Sequence, residues 1–312
     1  MSHGTTNRRA VLKSALGGFV GLSLIPFARR GLTQESLAIV PVSDDFVMLT
    51  GGGGNILVRS ASTGQVLVDS GVAESTDQVL TALEELPGAG RPQTLFNTHW
   101  HLEQVGGNAA FGQAGAMIIA HEKTGAHLAT DYYLPSEDRY QRALPVQAHP
   151  TETFFASGET LLGDERVEYG HLVEAHTDGD IYVYFRDSNV LAAGDAVSPV
   201  RDPVLDWFGG GWLGGRVEAL EKLLGVSDGE TRIVPSYGPV VGRAELQAEF
   251  DMMLELFDRM LELVRKGMSA QDMLDAGLMD GFNRRFDDPF RFTYDAYKGY
   301  WAHHNSLAPD LL

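Results

Sequence analysis

Two histidines separated by one residue are the part of this sequence with the clearest chemical potential. His99 and His101 follow an apolar run, residues 94–96, that predicts a short buried strand. In an extended segment, residues two apart point to the same side, so both imidazoles can face one metal ion. Solvated histidine pairs in loops share this spacing. The prediction of a metal site therefore depends on what the rest of the chain offers.

Two further residues extend the prediction. His176 lies in the turn-like segment 174–180, directly before the apolar run 181–185 that predicts a strand. Asp195 ends another apolar run, and a carboxylate at the end of a buried strand needs a partner because an unpaired buried charge is costly. A cation is one such partner.

The composition restricts both the metal and its ligands. The chain has no cysteine, which excludes disulfides, thiolate ligands and a cysteine nucleophile. A metal would be held by histidine and carboxylate groups, a donor set that suits zinc, iron or manganese more than copper(I).

The charge and hydrophobic content restrict the class of protein. The 312 residues are 44% hydrophobic, which is typical of a globular chain. A formal net charge of −18 disfavours nucleic acid or anionic lipid as the main partner, because phosphate binding needs basic patches. A small-molecule substrate is the partner that we expect.

The amino-terminal segment, residues 1–34, predicts an export signal. Arg8 and Arg9 precede Lys13 and then an uncharged, largely apolar stretch at residues 14–28, a pattern that resembles a twin-arginine signal. The stretch is too short and too rich in glycine for a stable spanning helix, which needs ~20 apolar residues. An amphipathic or disordered tail is the alternative. We expect a periplasmic or extracellular protein without a stable membrane span after export.

The order of apolar patterns predicts a single α/β domain, residues 35–245, followed by a helical extension, residues 246–312, that packs on the same domain. A long helix is expected at residues 243–266, and a further helix begins near Ser269 as its N-cap. Strands are expected at residues 37–40, 45–49, 55–58, 65–71, 94–96, 115–121, 153–155, 160–162, 167–169, 181–185, 190–195 and 231–235. The other helices are expected at residues 74–86, from 122 into the 130s and at 216–224.

Four motifs in a fixed order resemble the metallo-β-lactamase fold superfamily over residues 40–245. They are Thr-His-x-His followed by an acid and Gly-Gly, then Ala-His-Thr-x-Gly-Asp, then a strand ending in Gly-Asp, and finally Pro-x-x-Gly-Pro. The resemblance implies an αββα sandwich that binds one or two metal ions, usually zinc, which activate a water molecule. It implies that His99, His101 and His176 hold the first metal and that Asp195 occupies the position that bridges two metals. Asp69 matches a buried structural acid.

Three positions depart from the family pattern. Glu103 and Gln104 stand where the family has Asp and His, and Tyr237 stands where the family has His. Zinc rarely uses a neutral glutamine oxygen, and a tyrosine ligand would have to ionise from a pKa of about 10. These substitutions predict one ion rather than two, with zinc expected and iron as the alternative.

We therefore expect an exported metallohydrolase in which three histidines leave one metal position open for water. Asp195 and Glu103 are candidates to orient or deprotonate that water, and Tyr237 is a candidate donor to an oxyanion. The substrate class is an ester, lactone, lactam or similar compound. Two alternatives remain. One is a thiol dioxygenase-like enzyme with non-heme iron on His99, His176 and Asp195. The other is a binding protein of the same fold with impaired catalysis.

A glycine-rich segment, residues 202–215, follows the Asp195 motif. Its aromatic side chains favour either a flexible cover over an apolar substrate or a packing loop (Trp207, Phe208 and Trp212). Arg201 and Arg216 flank the segment as candidates to recognise a carboxylate.

Overall fold

The computed structural model describes residues 37–61, 64–86, 92–134 and 139–306. The segment predicted to be an export signal lies outside these residues. Within them, no helix is both long enough and apolar enough to cross a membrane.

The first of two main sheets has seven strands in the order β1-β2-β3-β4-β5-β6-β9. Strands β1 to β4 pair antiparallel, whereas β4, β5, β6 and β9 run parallel to one another. The strands are β1 (Ala38–Pro41), β2 (Phe46–Thr50), β3 (Ile56–Ala61), β4 (Gly64–Val68), β5 (Pro92–Phe96), β6 (Met117–His121) and β9 (Glu152–Phe154). A separate hairpin pairs β7 (Tyr132–Leu134) with β8 (Arg139–Gln141).

The second sheet has five strands in chain order. They are β10 (Ser157–Leu162), β11 (Glu165–His171), β12 (Ile181–Phe185), β13 (Val190–Gly194) and β14 (Arg232–Pro235). The pairs from β10 to β13 are antiparallel, and β13 pairs parallel with β14.

Alternation of side chains builds the layer between the sheets. Phe46 and Met48 of β2 share one buried cluster with Val183 and Phe185 of β12, and the Phe46 and Phe185 rings meet edge to face at 4.9 Å. On each strand, the residue between the two named positions points to the outer face of its sheet, because side chains on a strand alternate between its two faces. Full burial of each such side chain contributes about 2 kcal/mol.

Helices cover both outer faces. Helices α1 (Thr76–Glu85) and α3 (Asn108–Gln113) contribute to the cluster on the first sheet. The second sheet is covered by α5 (Leu213–Val226), α6 (Arg243–Arg265), α7 (Ala270–Asp275) and α8 (Pro289–Ser306). Two short helices, α2 (Leu102–Val105) and α4 (Glu122–Leu128), lie in loops. The predicted αββα sandwich with a helical carboxyl-terminal extension is confirmed.

Helix ends show where the predicted boundaries hold and where they shift. The predicted N-cap at Ser269 is confirmed, because its hydroxyl accepts a hydrogen bond from the Asp272 amide. Helix α6 begins at Arg243, so the domain boundary predicted at residue 245 falls inside this helix. Helix α4 ends at Leu128, earlier than expected.

The strand directions bring several loops to one edge of the sandwich. Strands β4 and β5 end at this edge and are followed by residues 69–71 and 97–101. Strands β13 and β14 end there too, and β12, which is antiparallel to β13, begins there. Ligands bind at the carboxyl ends of parallel strands in many α/β sheets, so this edge is where a site is expected.

A buried ion pair anchors the loop after β13. Arg216 is fully buried and donates to Glu249 at 2.7 Å, to the Asp195 carbonyl at 2.8 Å and to the Ser198 hydroxyl at 2.9 Å. The expectation that Arg216 recognises a carboxylate of a ligand is wrong, since its guanidinium is enclosed and bonded to protein groups.

Replacing Glu249 with alanine leaves the buried Arg216 charge without its carboxylate. We expect the free energy of unfolding to fall by about 3–5 kcal/mol, the usual cost of breaking a buried pair. Urea denaturation followed by circular dichroism measures the change. The matched control is Asp187→Ala, which breaks the exposed pair with Arg166 and should cost far less. Equal losses in the two variants would contradict the anchoring role.

Candidate metal centre

Asp69 fixes the loop that carries the first two histidines. Its carboxylate accepts from the Thr98 amide at 2.8 Å and from the Thr98 hydroxyl at 2.7 Å. Asp69 has a φ of 65°, an uncommon conformation for a residue other than glycine. Burial raises the pKa of Asp69 to about 8. The two hydrogen bonds from Thr98 act in the opposite direction, but their effect is smaller than that of burial. The side chain thus bears a desolvation cost and holds the histidine loop in place.

The Gly-Gly pair after the histidines allows close packing at the same point. A Cβ atom on Gly106 would overlap the backbone nitrogen of Ala73, and one on Gly107 would lie 2.7 Å from the Ser70 carbonyl. Helix α2 therefore rests directly on the loop that follows β4, which places Gln104 beside the histidines.

His99, His101 and His176 converge at this edge. One ligand atom from each lies within 4.8 Å of the other two. The nearest approach is between His101 Nδ1 and His176 Nε2 at 3.0 Å. No second cluster of three or more histidine and carboxylate side chains with this convergence occurs in the described ranges. The structure thus brings together the three residues predicted to hold a metal.

Each imidazole is oriented by a hydrogen bond to its outer nitrogen. His99 Nδ1 lies 3.1 Å from the Thr98 hydroxyl, His101 Nε2 lies 3.0 Å from Asp206 Oδ2, and His176 Nδ1 lies 2.8 Å from the Val204 carbonyl. The Thr98 hydroxyl donates to Asp69, so His99 Nδ1 is the donor in the first contact. Such outer contacts fix the ring and the tautomer of metal-binding histidines, and they leave the inner nitrogen of each ring facing the centre.

The electrostatics of the three rings differ. Burial lowers the pKa of His99 well below its usual value and that of His176 to about 4, so both rings are neutral at pH 7. Burial also acts to lower the pKa of His101, but the hydrogen bond and charge of Asp206 outweigh it and raise the pKa. The inner nitrogens of His101 and His176 therefore need a cation between them, either a proton or a metal ion.

The three histidines fit a metal ion. His99 Nε2 is buried and has no hydrogen-bond partner among the described residues, which is unusual for a buried polar atom. Two zinc–nitrogen bonds of ~2.1 Å at a tetrahedral angle place their nitrogens ~3.4 Å apart. The 3.0 Å separation between His101 and His176 is close to that value.

Asp195 lies beside the three histidines. Its Oδ2 is 3.5 Å from His99 Nε2 and 3.8 Å from His176 Nε2, and its Oδ1 accepts from Arg201 at 2.5 Å. Gln104 donates to Oδ2 at 3.5 Å, which is a long hydrogen bond. Asp195 thus borders the centre with one oxygen and meets a guanidinium with the other.

The three positions that depart from the family pattern line the same cavity as this carboxylate. Gln104 is buried, and its Oε1 has no hydrogen-bond partner among the described residues. Tyr237 lies under the Arg201 guanidinium, with its ring centre 3.4 Å from the guanidinium carbon. Burial raises the pKa of Tyr237 to about 12, so its phenol stays protonated and serves as a hydrogen-bond donor. Glu103 is exposed at the rim of the cavity.

The glycine-rich loop after Asp195 packs against the centre. Asp206 donates through its backbone nitrogen to the His176 carbonyl at 2.9 Å, and a Cβ atom on Gly211 would overlap that same carbonyl. Trp212 is buried and stacks on His303 at 3.9 Å, away from the cavity. Of the two alternatives for this segment, the packing loop holds for Trp212, whereas Trp207 and Phe208 line the cavity.

A cavity of about 370 Å³ opens onto the histidines. This volume suits a small organic molecule. The polar floor includes His101, Asp195 and Arg201. Aromatic side chains form much of the wall (Trp100, Tyr132, Trp207, Phe208 and Tyr237). The site thus combines a charged floor with apolar walls.

Sequence reasoning missed the residues that orient the histidines. Asp206 lies 105 residues from His101, so no local spacing in the sequence connects the two side chains. The one signal available was an acid between two apolar residues, Leu205 and Trp207. Thr98 carried no signal beyond its place in the histidine motif.

Comparison with known proteins identifies related sequences and folds. A family model described as the metallo-beta-lactamase superfamily matches residues 49–236. The structure of a metallo-beta-lactamase from Pontibacter korlensis is similar, with a TM-score of 0.58 and 21% identity, over 70% of this chain and 99% of that chain. The mono-zinc form of the metallo-beta-lactamase FIM-1 from Pseudomonas aeruginosa gives a TM-score of 0.55 and 16% identity, over 70% and 95% of the two chains.

A further match extends over more of this chain. A double mutant of the sec-alkyl sulfatase PisA1 gives a TM-score of 0.61 and 15% identity, and the match covers 88% of this chain and 52% of that chain. Similarity at these levels of identity supports the fold.

Replacing Asp206 with alanine removes the acceptor that orients His101. We expect the affinity for zinc to fall about 10- to 100-fold, the usual effect of losing an outer partner of a histidine ligand. Competition with a chromophoric chelator measures the dissociation constant. The matched control is Asp178→Ala, which removes a similar contact with His127 at 3.1 Å outside the three-histidine group. Equal zinc affinities in the wild type and the Asp206 variant would contradict the orienting role.

Proposed function

This chain belongs to the metallo-beta-lactamase superfamily, and we propose that it is a hydrolase with a single metal ion held by His99, His101 and His176. Members of the superfamily are metal-dependent hydrolases. The observation that carries the proposal is the convergence of three inner nitrogens, each on a ring whose outer nitrogen is already bonded to the protein.

Zinc is the ion that suits three imidazoles, and when bound this way it acts as a Lewis acid and lowers the pKa of a bound water to about 7. The protein supplies the remaining functions. Asp195 Oδ2, beside His99 and His176, is placed to orient and accept a proton from the attacking water. The protonated Tyr237 phenol and the Arg201 guanidinium face the cavity as donors to an oxygen that gains negative charge.

The three-histidine set is favoured over an iron site with two histidines and one carboxylate. The contact with Asp206 orients the His101 ring towards the other two histidines, so the protein itself fixes the position of this ligand. Asp195 has one oxygen already bound to Arg201. Both contacts support zinc on three histidines, with Asp195 beside the ion.

The proposed substrate is a small molecule with an ester, lactone, lactam or similar bond. The aromatic walls suit an apolar substituent, and Arg201 suits a group that is or becomes anionic. Alkyl sulfates join the test panel because of the likeness to the sec-alkyl sulfatase. The twin arginines at Arg8 and Arg9 support export by the twin-arginine route as part of this proposal.

Removal of the metal tests the function directly. Protein treated with a chelator should lose hydrolysis of esters, lactones, β-lactams or alkyl sulfates, and one equivalent of zinc should restore it. His101→Ala should remain inactive after zinc is added, because one of the three ligands is absent. His149→Ala, a histidine that contacts the Leu144 carbonyl elsewhere, should behave like the wild type.

Full activity in chelated protein or in His101→Ala would contradict the proposal. Absence of hydrolysis of every substrate by zinc-loaded protein would favour the alternative of a binding protein with impaired catalysis. Bound iron together with oxygen uptake in the presence of a persulfide would favour the dioxygenase alternative.

Tyr237→Phe separates a hydrogen-bond donor from a metal ligand. We expect kcat to fall about 100-fold, the usual cost of one oxyanion donor. The zinc content should stay the same, since the phenol is protonated and takes no part in binding the ion. Steady-state kinetics and elemental analysis measure the two quantities. Loss of zinc from this variant would identify Tyr237 as a ligand instead.

A further inference from the structure

We propose that the Arg201 guanidinium takes the place of a second metal ion beside Asp195 and limits the centre to one ion. This inference rests on the proposed function, because it assumes that the three histidines hold a metal. It assigns a role that the sequence pattern alone did not suggest for Arg201.

The two oxygens of Asp195 face two different cations. Oδ2 lies 3.5 Å from His99 Nε2 and 3.8 Å from His176 Nε2, on the side where the histidines hold an ion. Oδ1 accepts from Arg201 Nη2 at 2.5 Å. The carboxylate therefore lies between the three-histidine site and a guanidinium, in the way that a bridging carboxylate lies between two metals.

The groups around Arg201 are suited to a guanidinium. Its Cζ lies 3.4 Å from the centre of the Tyr237 ring, which is a cation–π contact. Tyr237 stands where the family has a histidine, so an aromatic ring that contacts a guanidinium replaces a metal ligand. Gln104 donates through its Nε2 to Asp195 Oδ2 at 3.5 Å. Asp195 is buried, and the Arg201 guanidinium balances the negative charge of its carboxylate.

A dication next to this guanidinium would meet strong repulsion. Like charges a few ångströms apart repel strongly wherever water is partly excluded. Arginine remains protonated at all pH values at which proteins fold, so its charge does not depend on pH or on the supply of metal. A second ion could bind only after Arg201 moved away from Asp195.

The backbone that carries Arg201 is held in place. Arg284 donates to the backbone carbonyl of Arg201 and, at 2.6 Å, to that of Ser198. The buried Arg216 also donates to the Ser198 hydroxyl. The segment from Ser198 to Arg201 is thus anchored from α5 and from the segment before α8, which fixes the backbone from which the guanidinium reaches Asp195.

Arg201 therefore orients Asp195 as well as excluding an ion. With Oδ1 held by the guanidinium, Oδ2 is the oxygen that faces the histidines. The side chain also lines the cavity, so its positive charge lies where substrate binds.

Counting bound ions in a set of four proteins tests this role without an activity assay. The set consists of the wild type, Arg201→Ala, Gln104→His and the double variant that carries both changes. Native mass spectrometry and elemental analysis count zinc per chain at free zinc raised to 100 times the dissociation constant of the first site. Gln104→His adds a nitrogen ligand next to Asp195, so only the exclusion by Arg201 then opposes a second ion.

We expect one ion in the wild type and in Gln104→His, and two in the double variant. Arg201→Ala should show a second ion at least 10-fold weaker than in the double variant. Arg201→Lys keeps a positive charge, and Arg291→Ala removes the other arginine of the cavity, so both should bind one ion. Circular dichroism confirms that each variant is folded.

Two results would overturn the inference and leave the proposed function intact. A second ion in Gln104→His with Arg201 intact would show that the guanidinium excludes nothing. One ion in the folded double variant would show that Arg201 is not what limits the count. Zero ions in every protein would overturn the proposed function and this inference together, whereas one ion in every protein would overturn only the role of Arg201.

Discussion

The convergence of three imidazoles on one point is the constraint on which the rest of the site depends. Inner nitrogens of His101 and His176 lie 3.0 Å apart, and His99 Nε2 is buried without a hydrogen-bond partner among the described residues. Such an arrangement is costly unless a cation occupies the centre. The protein stabilises it by bonding every outer nitrogen, and these bonds come from separate loops.

The sandwich topology makes this convergence possible. Strand β5 delivers His99 and His101, the loop before β12 delivers His176, and β13 delivers Asp195 to the same edge. Each loop is then fixed by a buried acid or base of its own. Asp69 holds the first through Thr98, Asp180 holds the second through the His176 amide, and Arg216 holds the third through the Asp195 carbonyl. The polar groups are buried in the structure, and they specify the geometry more than they add stability.

Much of the fold could be predicted from the sequence because the responsible signals are local. Continuous apolar runs predict the strands around Phe46 and Val183, and helical spacing predicts α6. The spacing of His99 and His101 predicts their shared direction. Asp206 and Arg201 act through contacts made only after folding, so no local spacing points to their partners. No local spacing decides between a cover and a packing role for Trp212 either, since its partner, His303, is distant in sequence and belongs to α8.

Anomalous scattering at the zinc edge from crystals of the zinc-loaded protein tests the central claim most directly. The account predicts one peak ~2.1 Å from His99 Nε2, His101 Nδ1 and His176 Nε2, with the Arg201 guanidinium still bonded to Asp195 on the far side. Two peaks bridged by Asp195, or no peak at the three histidines, would contradict it.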